Sequence, residues 1–143
     1  MAWFESRKTK EKKSRFRQLV DMALADGELD PAEQDLLEAV AEGLSIPVEE
    51  YQKILSHPER ISFTPPFELE ERLMQFAEIV DMMKADEKIR PEEQQFAIKM
   101  AGKLGIPPAK APQAIQLIMD GIDQRLQWDD LVAQLQTHLK QPS

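Results

Sequence analysis

The apolar residues of this chain recur every three or four positions from Phe16 to Leu139. This spacing places them on one face of an α-helix. No segment alternates polar and apolar residues for long enough to predict a β-strand. The pattern therefore predicts an all-α fold of about seven helices. The clearest apolar sets are Phe16, Leu19, Val20, Ala23 and Leu24, then Leu69, Leu73, Phe76, Val80 and Met83, and finally Trp128, Leu131, Val132, Leu135 and Leu139.

The chain contains one 29-residue pattern twice. Residues 19–47 and 79–107 match without a gap at an offset of 60, and 12 of the 29 positions are identical. A self-match at a fixed offset indicates one supersecondary unit built twice. Such a unit cannot bury its own apolar face, so we expect the two units to pack around a pseudo-twofold axis. The predicted organisation is a basic N-terminal tail at 1–13, then one helical domain at 14–140, with repeat units at about 14–56 and 68–123 and a C-terminal helix at about 127–139.

Charge is distributed unevenly along the chain. The formal net charge is −8, yet residues 1–18 contain seven Lys or Arg and two Glu, a net charge of +5. The remainder is strongly acidic and would repel a phosphate backbone, so we expect no nucleic-acid partner. A cation or a basic protein partner suits this surface better. The sequence predicts no oligomeric state.

Two further absences in the sequence narrow the function. There is no cysteine, which excludes disulfides, thiolate metal sites and cysteine nucleophiles. No stretch approaches 18 consecutive apolar residues, and the N-terminus does not resemble a signal peptide. A cytoplasmic location is therefore the expectation.

The segment from Asp26 to Glu33 matches the second half of an EF-hand calcium loop. In that half, the glycine allows a sharp turn and the last glutamate can chelate calcium. The first half of the loop does not match, because Met22 and Leu24 occupy the positions that should carry oxygen ligands. A high-affinity EF-hand is therefore excluded on ligand number, and a weak divalent-cation site remains.

The second copy of this turn departs from the pattern. Asp86 and Glu93 persist, but Glu87 replaces the glycine and Arg90 replaces Asp30. A purely structural interpretation also covers both turns. An aspartate in a tight turn accepts backbone N–H groups, and a glutamate in the first turn of a helix stabilises that helix. For the first turn, Asp30, Pro31 and Glu33 together predict a capping box that begins a helix.

The pattern Ala-Asp-Gly-x-apolar-x-x-x-Glu, between an amphipathic helix and a helix ending in Leu-(Gly/Ser)-Ile-Pro, resembles the TerB tellurite-resistance family. It occurs at 25–33 and, with substitutions, at 85–93, and the resemblance covers about residues 14–140. It implies an all-helical domain with internal pseudo-symmetry and a link to stress or tellurite resistance. It also implies an acidic patch that binds a divalent cation, calcium or magnesium, with no other cofactor. By matched position, the metal ligands would be Asp26, Asp30, Glu33, Asp86 and Glu93.

We expect a binding or scaffolding module with an acidic face rather than an enzyme. No Ser-His-Asp set, glycine-rich phosphate loop or HExxH motif is found. A carboxylate-dependent hydrolase is one alternative, and a deep pocket with a perturbed Asp or Glu would favour it. Another alternative is a protein–protein interaction domain without a cation. Met74 and Met119 are its candidate contact residues, whereas Met22, Met82, Met83 and Met100 are expected to fill the core.

The basic tail has two interpretations. Trp3 and Phe4 accompany seven cationic residues between Arg7 and Arg17, which is the composition of a membrane-surface anchor. A tail that is solvated or folds onto the acidic body is the other interpretation.

Overall fold

The computed structural model describes residues 6–25, 27–85 and 89–142. These ranges contain seven α-helices, two 3₁₀ turns and no β-strand, so the predicted all-α fold is confirmed. No helix in these ranges is long and apolar enough to cross a bilayer. The helices are α1 (Arg7–Ala23), α2 (Pro31–Gly43), α3 (Val48–Ser56), α4 (Leu69–Ala85), α5 (Pro91–Lys103), α6 (Ala111–Asp123) and α7 (Trp128–Lys140), and the 3₁₀ turns are Pro58–Arg60 and Pro108–Lys110.

The first helix begins earlier than the sequence predicts. Residues 7–13, assigned above to a basic tail, form the first turns of α1. Ser6 caps this helix, because its Oγ accepts a hydrogen bond from the Thr9 amide at 3.2 Å. The segment is also held from outside, since Lys13 pairs with Glu50 of α3 at 3.3 Å. The part of the tail before Ser6, with Trp3 and Phe4, lies outside the described residues, and the division into a tail and one domain stays a prediction.

The helix bounds repeat at the offset seen in the sequence, but only in part. Both α2 and α5 have 13 residues and begin at the matched prolines Pro31 and Pro91. The third element differs between the units. The first unit has the nine-residue α3, whereas the second has the 3₁₀ turn at Pro108 followed by the 13-residue α6. Pro108 provides no backbone N–H for an α-helical turn, which is consistent with this difference. The pseudo-twofold axis stays a prediction.

Helix α4 is the centre of the fold and packs against α1, α2, α5, α6 and α7. Its apolar residues Leu73, Phe76, Val80 and Met83 have no exposed surface, whereas Leu69 at its start is 38% exposed. Phe16 of α1, which matches Phe76, is also fully buried. The predicted core role of Met22, Met82, Met83 and Met100 is confirmed, since each is at most 1% exposed. Because α1 and α7 pack against α4, the polar edge of α4 lies at the bottom of a groove between them.

Candidate functional site

The first repeated turn is organised by its own helix terminus. The Asp30 carboxylate accepts a hydrogen bond from the Ala32 amide at 2.8 Å, and Glu33 Oε1 accepts one from the Asp30 amide at 3.1 Å. The predicted capping box at the start of α2 is therefore confirmed. Gly27 has a φ of +87°, the left-handed conformation that the sharp turn requires. Glu33 is only 2% exposed, so its carboxylate lies inside the turn and not on an open acidic surface.

The second turn has part of the same arrangement. Glu93 is 1% exposed, and its Oε1 accepts a hydrogen bond from the Arg90 amide at 3.0 Å. A guanidinium has no acceptor, so Arg90 cannot cap α5 as Asp30 caps α2. The other two predicted ligands, Asp26 and Asp86, lie outside the described residues. Among the residues that are described, no three Asp, Glu, His or Cys side chains are grouped in a way that could hold a metal ion.

A groove of about 840 Å³ lies between α1, α4 and α7. The lining residues of α1 and α7 follow the spacing i, i+3, i+4 and i+7, which is one complete helical stripe. The stripes are Lys8, Glu11, Lys12 and Arg15 on α1, and Asp129, Val132, Ala133 and Gln136 on α7, with Glu70, Glu71, Met74 and Gln75 of α4 between them. Pro66 and Phe67, which precede α4, close one end, and Phe67 is 73% exposed.

Gln75 is the unusual residue of this groove. Its side chain is 2% exposed, and neither Oε1 nor Nε2 has a hydrogen-bond partner among the described residues. Buried polar atoms are nearly always paired, and an unpaired one costs about 1–3 kcal/mol. Met74, proposed from the sequence as a contact residue, lies beside it and also lines the groove. A carboxamide at the bottom of a groove that lacks hydrogen-bond partners within the described residues is typical of a binding site in which a ligand supplies those hydrogen bonds.

A second cavity of about 340 Å³ continues from the groove towards α2. Arg15 and Met74 line both cavities, and Trp128, which is 38% exposed, lines the second. Here Arg15 forms an ion pair with Glu78 of α4, with Nη2 and Oε1 2.6 Å apart. The two cavities are therefore neighbours, and Arg15 and Met74 lie between them.

Two carboxyl groups in the second cavity have shifted ionisation. Burial raises the pKa of Glu78 above its ordinary value of 4.5, although the hydrogen bond and charge of Arg15 oppose the shift. Burial also raises the pKa of Asp81, with Lys84 opposing it. Perturbed carboxyl groups in a cleft are the feature that would favour a hydrolase. However, Glu78 is held by Arg15 in an ion pair, which leaves it less available as a general base.

Sequence reasoning did not single out Gln75, Glu78 or Asp81. The signal that could have found Gln75 is a polar residue inside an apolar helical face, between Leu73 and Phe76. The raised pKa values had no such signal, because burial depends on which helices pack against α4.

Comparison with known families finds a match to the first helical unit of the chain. The family model described as "Tellurite resistance protein TerB" matches residues 5–56, which include α1 to α3 and the first turn. No curated protein and no solved structure matches the chain. The resemblance to the TerB family is thereby confirmed, over the first helical unit.

Proposed function

We propose that this chain is a TerB-like binding module that acts by holding a protein partner and not by catalysis. The observation that carries the proposal is the groove between α1, α4 and α7. Its bottom contains an apolar side chain, Met74, and a carboxamide, Gln75, that has no hydrogen-bond partner in the described part of the chain. Ligand sites typically combine apolar lining with a few polar groups that fix orientation. The groove has this composition, whereas Asp30 and Glu33 of the first turn are engaged in capping.

The charged residues around the groove support a protein partner. Lys8 and Lys12 are exposed on α1, Glu70 and Glu71 on α4, and Asp129 on α7 across the groove from α1. Individual exposed charges contribute little affinity, but opposite signs on two walls orient a partner and suppress incorrect ones. Arg7 stacks on the exposed ring of Phe67 at 3.8 Å, which adds an aromatic surface at the end of the groove. Aromatic and arginine side chains are enriched at protein interfaces.

The proposal includes two lesser functions, which are weak cation binding and contact with a membrane surface. Weak cation binding at the first turn would stabilise the module rather than perform chemistry. The basic N-terminus could contact an anionic membrane surface, although several of its cations are already paired within the fold. Arg7 pairs with Glu11 at 3.4 Å, and Arg17 pairs with Asp21 at 3.2 Å. These contacts favour the interpretation in which the basic segment folds onto the acidic body.

The proposal is tested by selecting peptides from a random library on the full chain and measuring their affinities for two variants. Ala133→Arg places a long cationic side chain in the groove, and Gln134→Arg places the same side chain at the adjacent exposed position outside it. We expect Ala133→Arg to weaken binding at least tenfold and Gln134→Arg to leave it within twofold. Selected peptides that bind Ala133→Arg as well as the unaltered chain would reject the groove as the binding site.

A further inference from the structure

We propose that the groove binds an extended polypeptide segment, and that the Gln75 carboxamide pairs with the backbone N–H and C=O of one residue of that segment. This inference rests on the proposed function, because it names the partner of the same groove. It goes beyond that function in specifying the backbone conformation of the partner and the residue that selects it.

The first step is the chemistry of Gln75. A glutamine carboxamide carries two N–H donors and an oxygen with two acceptor sites. In Gln75 both polar atoms are shielded from water and have no partner in the described ranges 6–25, 27–85 and 89–142. The residue nevertheless lines the groove, so the carboxamide meets a ligand there when it rotates about its side-chain torsions towards the groove. A ligand that satisfies it must therefore present a donor and an acceptor side by side.

The second step is the conformation of a ligand with that property. In an extended strand, the N–H and C=O of one residue point to the same side, as they do when two antiparallel residues exchange both hydrogen bonds. In an α-helix these groups are bonded within the helix. A docked helix would leave Gln75 unsatisfied unless it offered a side-chain amide. The pairing therefore favours an extended segment over a helical one.

The third step is size. The α1 stripe runs seven residues from Lys8 to Arg15, a rise of roughly 10 Å at 1.5 Å per residue. An extended peptide rises about 3.3 Å per residue, so about three of its residues span the groove. Neighbouring side chains of such a peptide point to opposite sides. The residue that pairs with Gln75 would direct its side chain to one side of the segment, and its two neighbours would direct theirs to the other. One side would contact Met74, and the other would contact Val132 and Ala133.

The fourth step is charge. Exposed carboxylates of Glu68, Glu70, Glu71 and Asp129 outnumber the exposed ammonium groups of Lys8 and Lys12 along the groove. The segment that fits is thus basic overall, with its cationic side chain towards α4 and α7. Such complementarity determines orientation and association rate more than affinity.

A residue of the fold itself, Gln18, is the alternative to a ligand as the hydrogen-bond partner of Gln75. Gln18 of α1 is 4% exposed, and it occupies the position that matches Glu78 at the offset of 60. An amide pair between Gln18 and Gln75, or a buried water on Gln75, would satisfy the carboxamide without any ligand. The two buried glutamines therefore form a matched pair for the experiment.

The experiment uses the full chain and the peptides selected on it. Gln75→Leu removes both hydrogen-bonding groups, and Gln18→Leu makes the same change at the other buried glutamine. We expect Gln75→Leu to weaken peptide binding at least tenfold and Gln18→Leu to leave it within twofold. A scan of backbone N-methylated peptides on the unaltered chain should identify one position where methylation costs at least tenfold. That loss should shrink to less than threefold in Gln75→Leu.

The outcomes separate this inference from the proposed function. Peptides that lose affinity for Ala133→Arg but bind Gln75→Leu normally would overturn the inference and leave the groove as the binding site. Peptides insensitive to both variants would overturn both. A bound peptide that is helical by NMR would overturn the inference alone. If Gln75→Leu does not fold, the N-methyl scan decides, and the absence of any sensitive position overturns the pairing.

Discussion

The guanidinium of Arg15 lies 2.6 Å from the carboxylate of Glu78 and ties α1 to α4 at the junction of the two cavities. At the offset of 60, the positions equivalent to these two residues are Gln75 and Gln18. The charged residues Arg15 and Glu78 therefore correspond, at the offset of 60, to two residues with neutral amide side chains. The ion pair links α1 to α4, whereas the Gln75 carboxamide has no hydrogen-bond partner within the described residues.

The burial of Glu78 predicts a pH dependence of stability. Burial raises the pKa of Glu78 above 4.5 in the folded chain, so the folded state binds more protons than the unfolded state in the range just above that value. Ionisation of Glu78 then lowers the free energy of unfolding as the pH rises through its folded pKa. We expect the stability of the unaltered chain relative to Glu78→Gln to decrease across this range, measured by urea unfolding at several pH values.

The control for this measurement is Glu71→Gln, which changes an exposed glutamate on the same helix. Its stability difference should vary less with pH than that of Glu78→Gln. A difference for Glu78→Gln that stays constant or grows with rising pH would contradict the role assigned to burial.

The capping box predicts an effect at Asp30. Asp30→Ala removes the acceptor for the Ala32 amide and should lower the free energy of unfolding by about 1 kcal/mol. Asp30→Asn keeps a side-chain oxygen and should cost only a few tenths of a kcal/mol, because asparagine caps about as well as aspartate. Chemical denaturation of both variants checks this, and equal losses would show that charge matters here more than the hydrogen bond.

Two helical glycines should respond oppositely to alanine. Gly102 of α5 has no heavy atom within 4 Å of an added Cβ, so Gly102→Ala should stabilise the chain by up to about 1 kcal/mol. At Gly121 of α6, an added Cβ would lie 2.1 Å from Cδ2 of Leu131, which is itself 1% exposed. Gly121→Ala should therefore lower the melting temperature by forcing α7 to repack. A stabilising Gly121→Ala would mean that Leu131 moves freely.

Cation binding at the first turn stays a prediction. Calcium should produce saturable amide shifts confined to residues 25–33 in ¹⁵N–¹H spectra, and Asp26→Ala with Glu33→Ala should abolish them. Because Glu33 also accepts the Asp30 amide, Glu33→Gln is the matched control: it keeps an acceptor and removes the charge. We expect it to weaken calcium binding with little loss of stability. An unchanged calcium isotherm in the double variant would contradict the cation site.

The sequence by itself determined the helical class, the core and the first turn. Apolar residues at helical spacing have no other way to be buried together, which is why Phe16 and Phe76 were predictable as core residues. The capping box was predictable because all its parts lie within four residues, from Asp30 to Glu33. Local chemistry of this kind needs no knowledge of what packs where.

The position and lining of the groove were determined only by the tertiary structure. Lys8, Gln75 and Ala133 are far apart in sequence, and they line one cavity only because α1 and α7 pack on the same side of α4. The start of α1 at Arg7 was missed for a related reason, since Lys13 is held by Glu50 of another helix. Burial of Gln75 with no partner among the residues that the structure describes likewise depends on the packing of three helices. A periodic pattern specifies which face of a helix is buried, but the partner of each polar group at the edge of that face depends on the packing of distant segments.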